Sequence, residues 1–142
     1  MPEGSLGKEY VTMLNRCKIS PDTRVPVKFI DGEENQFIMM RYRQIHDILH
    51  LLLDAPTNFE GESLVKAFEF QQTGLLVPFI GATAAPLYRL NSEKWSKHQS
   101  RVQKLQKNKF SGAPHYLSIY YENRWDQEIQ ELKNELKIPK LF

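Results

Sequence analysis

The sequence predicts an all-α protein, and two observations carry that reading. Long stretches lack Pro and Gly and are rich in good helix formers, above all Glu34–Asp54 (ENQFIMMRYRQIHDILHLLLD). The alternation of apolar and polar residues that marks a strand is nearly absent. At 142 residues the chain is long enough to bury the core of one domain. Residues 1–142 are therefore expected to form a single helical domain built around an antiparallel helix hairpin.

Taken in order, residues 1–8 read as a loose lead-in and Glu9–Arg16 as a short helix. Ile19–Pro26 (ISPDTRVP) is turn-rich, with Ser20-Pro21-Asp22 opening a turn, and Val25–Phe29 is a short extended run. Asp31–Glu34 supplies an N-cap and negative charge for the long helix. Within that helix Ile38, Tyr42, Ile45, Leu49 and Leu52 form the stripe expected to face the core. Pro56 disfavours helix at the residue before it, and Thr57 with Glu60, or Asn58 alone, can cap a second helix from about Phe59 to Gln72.

Gly74–Leu90 (GLLVPFIGATAAPLYRL) is then apolar for about fifteen residues, too short to span a membrane. It carries Pro78, Pro86 and the small residues Gly81, Ala82, Ala84 and Ala85. It suits either a buried helix packed on the hairpin, or one wall of a groove for a lipid tail or a membrane-contacting face. Asn91–Phe110 follows with seven basic residues, His98 among them, against one acid, Glu93. Such a run is a solvated face or a surface for anionic membrane. Ser111–Pro114 ends it, and a last helix is expected over about Tyr121–Leu136, with Trp125, Ile129, Leu132 and Leu136 as its apolar stripe and Glu128, Glu131 and Glu135 outside.

The chemistry-bearing feature is His-Asp-x-x-His, then eleven residues, then Glu: His46, Asp47, His50 and Glu62. Imidazole nitrogens and carboxylate oxygens are the ligand set of zinc, iron and manganese. On a helix His46 and His50 are stacked neighbours, and Asp47 stands about 100° round from His46. His50 lies about one turn before the first helix ends and Glu62 about one turn into the second. At roughly 5.4 Å per turn the two return to one level in an antiparallel pair. A phosphohydrolase built on a His-Asp doublet would need a further His upstream, but His98 and His115 both follow. The zinc-protease pattern places a Glu base between its histidines, where this chain has Asp47 directly after the first.

Net charge is +2, from 19 basic and 17 acidic residues, which gives no electrostatic case for nucleic acid. The single cysteine, Cys17, rules out an internal disulfide and reads as a reduced, inert side chain. The opening MPEGSLGKEY is neither an apolar signal peptide nor an Arg-rich presequence.

Five stretches carry a resemblance over nearly the whole chain: Gly7–Tyr10, ISPDTRVPV at Ile19–Val27, MRYRQIHDILHLLLDAPTNFEGE at Met40–Glu62, FQQTGLLVPFIGA at Phe70–Ala82, and YYENRWDQEIQELKNEL at Tyr120–Leu136. The chain resembles the mitochondrial ubiquinone (coenzyme Q) biosynthesis protein four family. The resemblance implies that His46, Asp47, His50 and Glu62 hold a divalent metal, usually assigned as zinc, with iron or manganese as alternatives. It implies a peripheral position on the matrix side of the mitochondrial inner membrane, and decarboxylation at C1 of a polyprenylated benzoate, coupled to hydroxylation. The implied partners are the other coenzyme Q biosynthesis enzymes in a multi-subunit complex, the polyprenyl lipid intermediate and the inner-membrane surface, with a homodimer among the expected assemblies and no nucleic acid. A non-catalytic scaffold that presents the lipid intermediate is the alternative. Members normally carry a longer N-terminal portion with a presequence, which this chain is expected to lack. Arg43, one turn before His46 and Asp47, is the side chain expected to grip the substrate carboxylate, with an ion pair to Asp47 or a surface acid as the alternative.

Overall fold

The computed structural model describes residues 1–107 and 114–141. Among them lie six α-helices: α1 (Leu6–Cys17), α2 (Glu33–Leu52), α3 (Phe59–Thr73), α4 (Leu76–Arg89), α5 (Ser92–Lys107) and α6 (Ile129–Glu135). Single 3₁₀ turns occur at Pro21–Thr23, Tyr116–Ser118 and Tyr121–Asn123. No strand occurs among the described residues, only an isolated antiparallel bridge between Ser5 and Glu128. The sequence expectations for residues 108–113, the end of the basic helix and the start of the Ser111–Pro114 break, lie outside the described residues.

The N-terminus is more ordered than a loose lead-in. Ser5 caps α1, its side chain accepting from the Lys8 N–H, and residues 4–7 pair with the chain around residue 127 through Leu6 N–H to Gln127 O (2.9 Å), Gly7 N–H to Trp125 O (2.9 Å) and Ile129 N–H to Gly4 O (3.0 Å). That pairing explains why the last helix is shorter than its stripe suggests. Backbone groups at Trp125, Gln127 and Ile129 bond to another segment, so they are not free to form helix rungs. Trp125 stacks on Tyr10 of α1 at 5.7 Å, and of the expected stripe Ile129, Leu132 and Leu136 are buried.

α2 starts at a Gly32 cap with no side-chain hydrogen bond, and Asp31 does not cap it. Its stripe enters the core only from Tyr42 onward. Ile45, Leu49 and Leu52 are fully buried, whereas Ile38 is 48% exposed. Leu64, Val65 and Phe68 of α3 complete the centre with Leu105 of α5 and Tyr116, Tyr121 and Leu132 from the C-terminal part.

The turn between α2 and α3 is tied to one residue. Ala55 N–H donates to the His50 carbonyl (2.8 Å), and the His50 ring Nδ1 returns to the Ala55 carbonyl (3.1 Å). Of the two cap candidates, Asn58 is used: its side chain accepts from the Gly61 N–H at 3.1 Å. Thr57 instead meets the Cys17 Sγ at 3.2 Å. α3 stops at Gly74 (φ 68), a left-handed residue whose N–H reaches the Phe70 carbonyl.

α4 lies against α3, with Gly81 close to the Lys66 stem and Phe79 against Phe70 at 4.9 Å. It is only partly the buried helix its composition suggests, since Leu76, Val77, Leu87 and Tyr88 are all more than 60% exposed. No described helix is long and apolar enough to cross a membrane.

Candidate metal centre

His46 and His50, four residues apart on α2, present their rings side by side with centroids 5.1 Å apart. Glu62, in the first turn of α3, bridges them. Its Oε2 lies 3.1 Å from His46 Nε2 and its Oε1 3.1 Å from His50 Nε2. One ligand atom from each of the three residues falls within 4.8 Å of the others.

The opposite edge of each ring is already committed. His46 Nδ1 sits 2.8 Å from Glu69 Oε1, and His50 Nδ1 takes the Ala55 carbonyl. A carbonyl can only accept, so His50 Nδ1 carries a proton and the ring turns Nε2 toward Glu62. That Nε2 is buried and stands beside Glu62 out of hydrogen-bond alignment, without a hydrogen-bond partner. A buried ring nitrogen and a carboxylate oxygen 3.1 Å apart with nothing between them is an unfavourable pairing. A cation between them, proton or metal, resolves it. The donor set of two imidazole Nε2 atoms and one carboxylate suits a divalent transition ion, each imidazole being oriented through its other nitrogen. On these grounds the residues fit the metal that the sequence motif suggests.

Asp47 does not join the three. Its Oδ2 is paired with the Arg24 guanidinium, which also donates to the Arg43 carbonyl at 2.6 Å. Asp47 lines, with His50, Glu62, Thr57, Cys17 and Arg16, an open cavity of about 400 Å³. Arg43 is turned elsewhere: its NH1 donates to the Val25 carbonyl at 2.8 Å, and it borders a different hollow with Arg24 and Phe37. Both differences arise from the segment between α1 and α2, whose Arg24 takes Asp47 and whose Val25 carbonyl takes Arg43.

The coenzyme Q (ubiquinone) biosynthesis protein Coq4 family matches this chain over residues 1–141. The chain belongs to that family. It is 46% identical over 138 residues to the rat ubiquinone biosynthesis protein COQ4 homolog, mitochondrial, and 44% to the human homolog, covering 97% of this chain and 52% of each relative. The COQ4 protein of Coprinopsis cinerea is 39% identical, with 47% of its length covered. The chain thus spans about half the length of the curated relatives it matches. A crystal structure of a Nostoc punctiforme protein assigned to ubiquinone biosynthesis superposes with a TM-score of 0.72 at 22% identity. It covers 96% of this chain and 63% of that one, and shares its fold.

Sequence reading of this Coq4-family chain missed Glu69. It is fully buried, and its carboxylate takes His46 Nδ1, the Tyr42 hydroxyl (2.6 Å) and Lys66 Nζ (2.8 Å). The signal was present: Glu62, Lys66 and Glu69 recur at i, i+4, i+7 along one face of α3. Burial raises the Glu69 pKa, but His46 and Lys66 outweigh it and leave Glu69 below its usual range. The His46 hydrogen bond, then His50, hold Glu62 well below the ordinary carboxylate range. For His46 burial pulls downward, yet Glu62 and Glu69 together raise it to about 9.

These shifts give a pH dependence. His46 is raised in the folded state, so in metal-free protein its contribution is fully present below its unfolded value near 6.5 and is lost as pH rises through about 9. Glu62 and Glu69 act oppositely, contributing above the ordinary carboxylate range and losing that contribution only in acid. Urea melts in chelator should therefore show stability falling from about pH 6.5 to about pH 9, and His46→Gln should flatten that slope. A wild-type curve that is flat or rising there would refute the assignment.

Proposed function

We propose that this chain is a metal-dependent lyase of ubiquinone biosynthesis. It would remove the C1 carboxylate from a polyprenylated benzoate head group, with hydroxylation at that carbon. The observation that carries the proposal is the convergence of His46 Nε2, His50 Nε2 and Glu62 on one point, with the rings' other nitrogens held by Glu69 and Ala55. The antiparallel pairing of α2 and α3 supplies that convergence, and residues 1–142 act as one helical unit. His46, His50 and Glu62 would hold the ion, and Asp47, its Oδ2 held by Arg24, would offer its other carboxylate oxygen as the motif's further donor.

A divalent ion bound there, zinc first and iron or manganese otherwise, supplies Lewis acidity toward a carboxylate or phenolate oxygen. The chain's own residues do the rest. Glu69 fixes the His46 ring so that Nε2 faces the site, and the turn at Ala55 does the same for His50. In the reaction the bond between ring and carboxylate breaks, carbon dioxide leaves, and the electron pair remains on the ring carbon. Placing a hydroxyl there removes two electrons from that carbon; dioxygen would accept them and leave as hydrogen peroxide, with water supplying the hydroxyl oxygen.

The test is turnover of detergent-solubilised prenylated hydroxybenzoate by protein loaded with zinc, iron or manganese. Carbon dioxide release that depends on the ion supports the reading, and equal release by chelated protein overturns it.

A second reading is favoured by a separate observation. The outer face of α4 leaves Leu76, Val77, Leu87 and Tyr88 in solvent, next to the basic α5. Such a face suits a chain that presents a polyprenyl intermediate at the matrix face of the inner membrane to the other biosynthetic enzymes, as a single copy or a homodimer. Isoprenoid lipid copurifying with the chain, without metal-dependent turnover, would favour it.

A further inference from the structure

We propose that Arg16 is the residue that recognises an anionic head group, of the carboxylate class, at the mouth of the metal cavity. The cations around the cluster are otherwise engaged. Arg24 is held by Asp47 and the Arg43 carbonyl, Arg43 by the Val25 carbonyl, and Lys66 by Glu69 and Tyr42. Lys133 is bound to Asp54 at 2.5 Å. Arg16 stands in the last turn of α1 and is exposed. It forms no ion pair among the described residues, and it is the only Lys or Arg lining the cavity shared by Asp47, His50 and Glu62. The last turn of a helix favours a cation by its dipole, but that preference would be met equally by a side chain facing open solvent.

The electrostatics of the cavity make an anion the natural occupant. Arg24 neutralises Asp47. A divalent ion held by Glu62 and two neutral imidazoles leaves one net positive charge at the floor, and Arg16 places a second at the rim. Met13 and Ile19, which also line the cavity, offer apolar contact for a ring. A space of about 400 Å³ is of the size that takes a small aromatic head group. A guanidinium pairs with a planar carboxylate through two parallel hydrogen bonds, which an ammonium cannot do. This inference rests on the metal-centre reading for the floor charge and on Arg16 alone for the rim.

The experiment is calorimetric titration of the full chain with benzoate and with its neutral counterpart benzamide, zinc-loaded and metal-free. The proteins are wild type, Arg16→Gln, Arg16→Lys and Lys18→Gln, each with its thermal melt recorded. Arg16→Gln should raise the benzoate Kd by about 10- to 100-fold and leave the melt and benzamide binding unchanged. Arg16→Lys should recover only part of the loss, and Lys18→Gln, which removes the same charge two residues away, should stay within about threefold of wild type. Arg16→Gln binding benzoate as wild type does, equal losses for benzamide or for Lys18→Gln, or no benzoate binding by the wild type, would overturn the assignment. The two readings fail separately. Metal uptake with benzoate binding indifferent to Arg16 sinks this one, whereas Arg16-dependent binding by a protein that takes up none of zinc, iron or manganese sinks the metal centre.

Discussion

His50→Ala should lower the metal content of the purified protein from about one ion per chain to less than about a tenth of that. Two things are lost together. The buried Nε2 is one of the three convergent donors, and the Nδ1 on the other side of the ring ties down the Ala55 carbonyl. Of the three convergent donors only one imidazole and one carboxylate remain, and Asp47, already paired with Arg24, does not make up the loss of a buried nitrogen ligand. The helix itself should persist, because Ile48, Leu49, Leu52 and Leu53 keep α2 in the core. Elemental analysis beside far-ultraviolet circular dichroism reads both quantities. Full metal content in the folded variant would place the ion elsewhere and remove the basis of the proposed chemistry.

Gly61→Ala should be among the most damaging single substitutions in the chain, although it adds one methyl group. Gly61 lies in the first turn of α3, where its N–H bonds to the Asn58 cap. A Cβ built there overlaps the Pro56 carbonyl oxygen and lies 2.8 Å from the Pro56 carbon and nitrogen. These are backbone atoms of the tied turn, so no side-chain rotation relieves the clash. A cost of about 3 kcal/mol or more is expected, by the mechanism of overpacking against fixed backbone. Gly74→Ala provides the contrast. Its φ of +68 is strained for a side chain but nothing crowds its Cβ, so about 1 kcal/mol is expected. Urea melts rank the two, and equal midpoints would contradict the turn geometry. Because Glu62 follows Gly61 directly, metal affinity should fall along with stability in Gly61→Ala and be retained in Gly74→Ala.

The helices were legible to different depths. α2 and α3 follow from uninterrupted helix formers and from Asn58 as a cap, all local signals. α6 was overextended because its stripe of Trp125, Ile129, Leu132 and Leu136 has helical spacing, while the backbone at residues 125–129 bonds to residues 4–7. No local pattern announces a partner more than a hundred residues away. The same limit applies at the candidate site. His46, His50 and Glu62 could be brought together from spacing alone, but Asp47 was read as their neighbour when Arg24, 23 residues earlier, takes it. Glu69 shares the Glu62–Lys66 face of α3, but that spacing gives only the face; its burial against Tyr42, His46 and Lys66 is set by the packing of α3 on α2.

The sequence by itself determined that the chain is helical and that two imidazoles share one helix face a turn apart, with a glutamate able to return to their level. Those are consequences of 3.6 residues per turn and a short connection, and they need no knowledge of the rest of the molecule. Only the tertiary structure decided which ring nitrogen faces the centre, which arginine clamps Asp47, and which arginine stays at the open rim. Each of those choices depends on a contact between segments distant in the chain. Side-chain periodicity reports the face a residue occupies and carries no information about what meets that face.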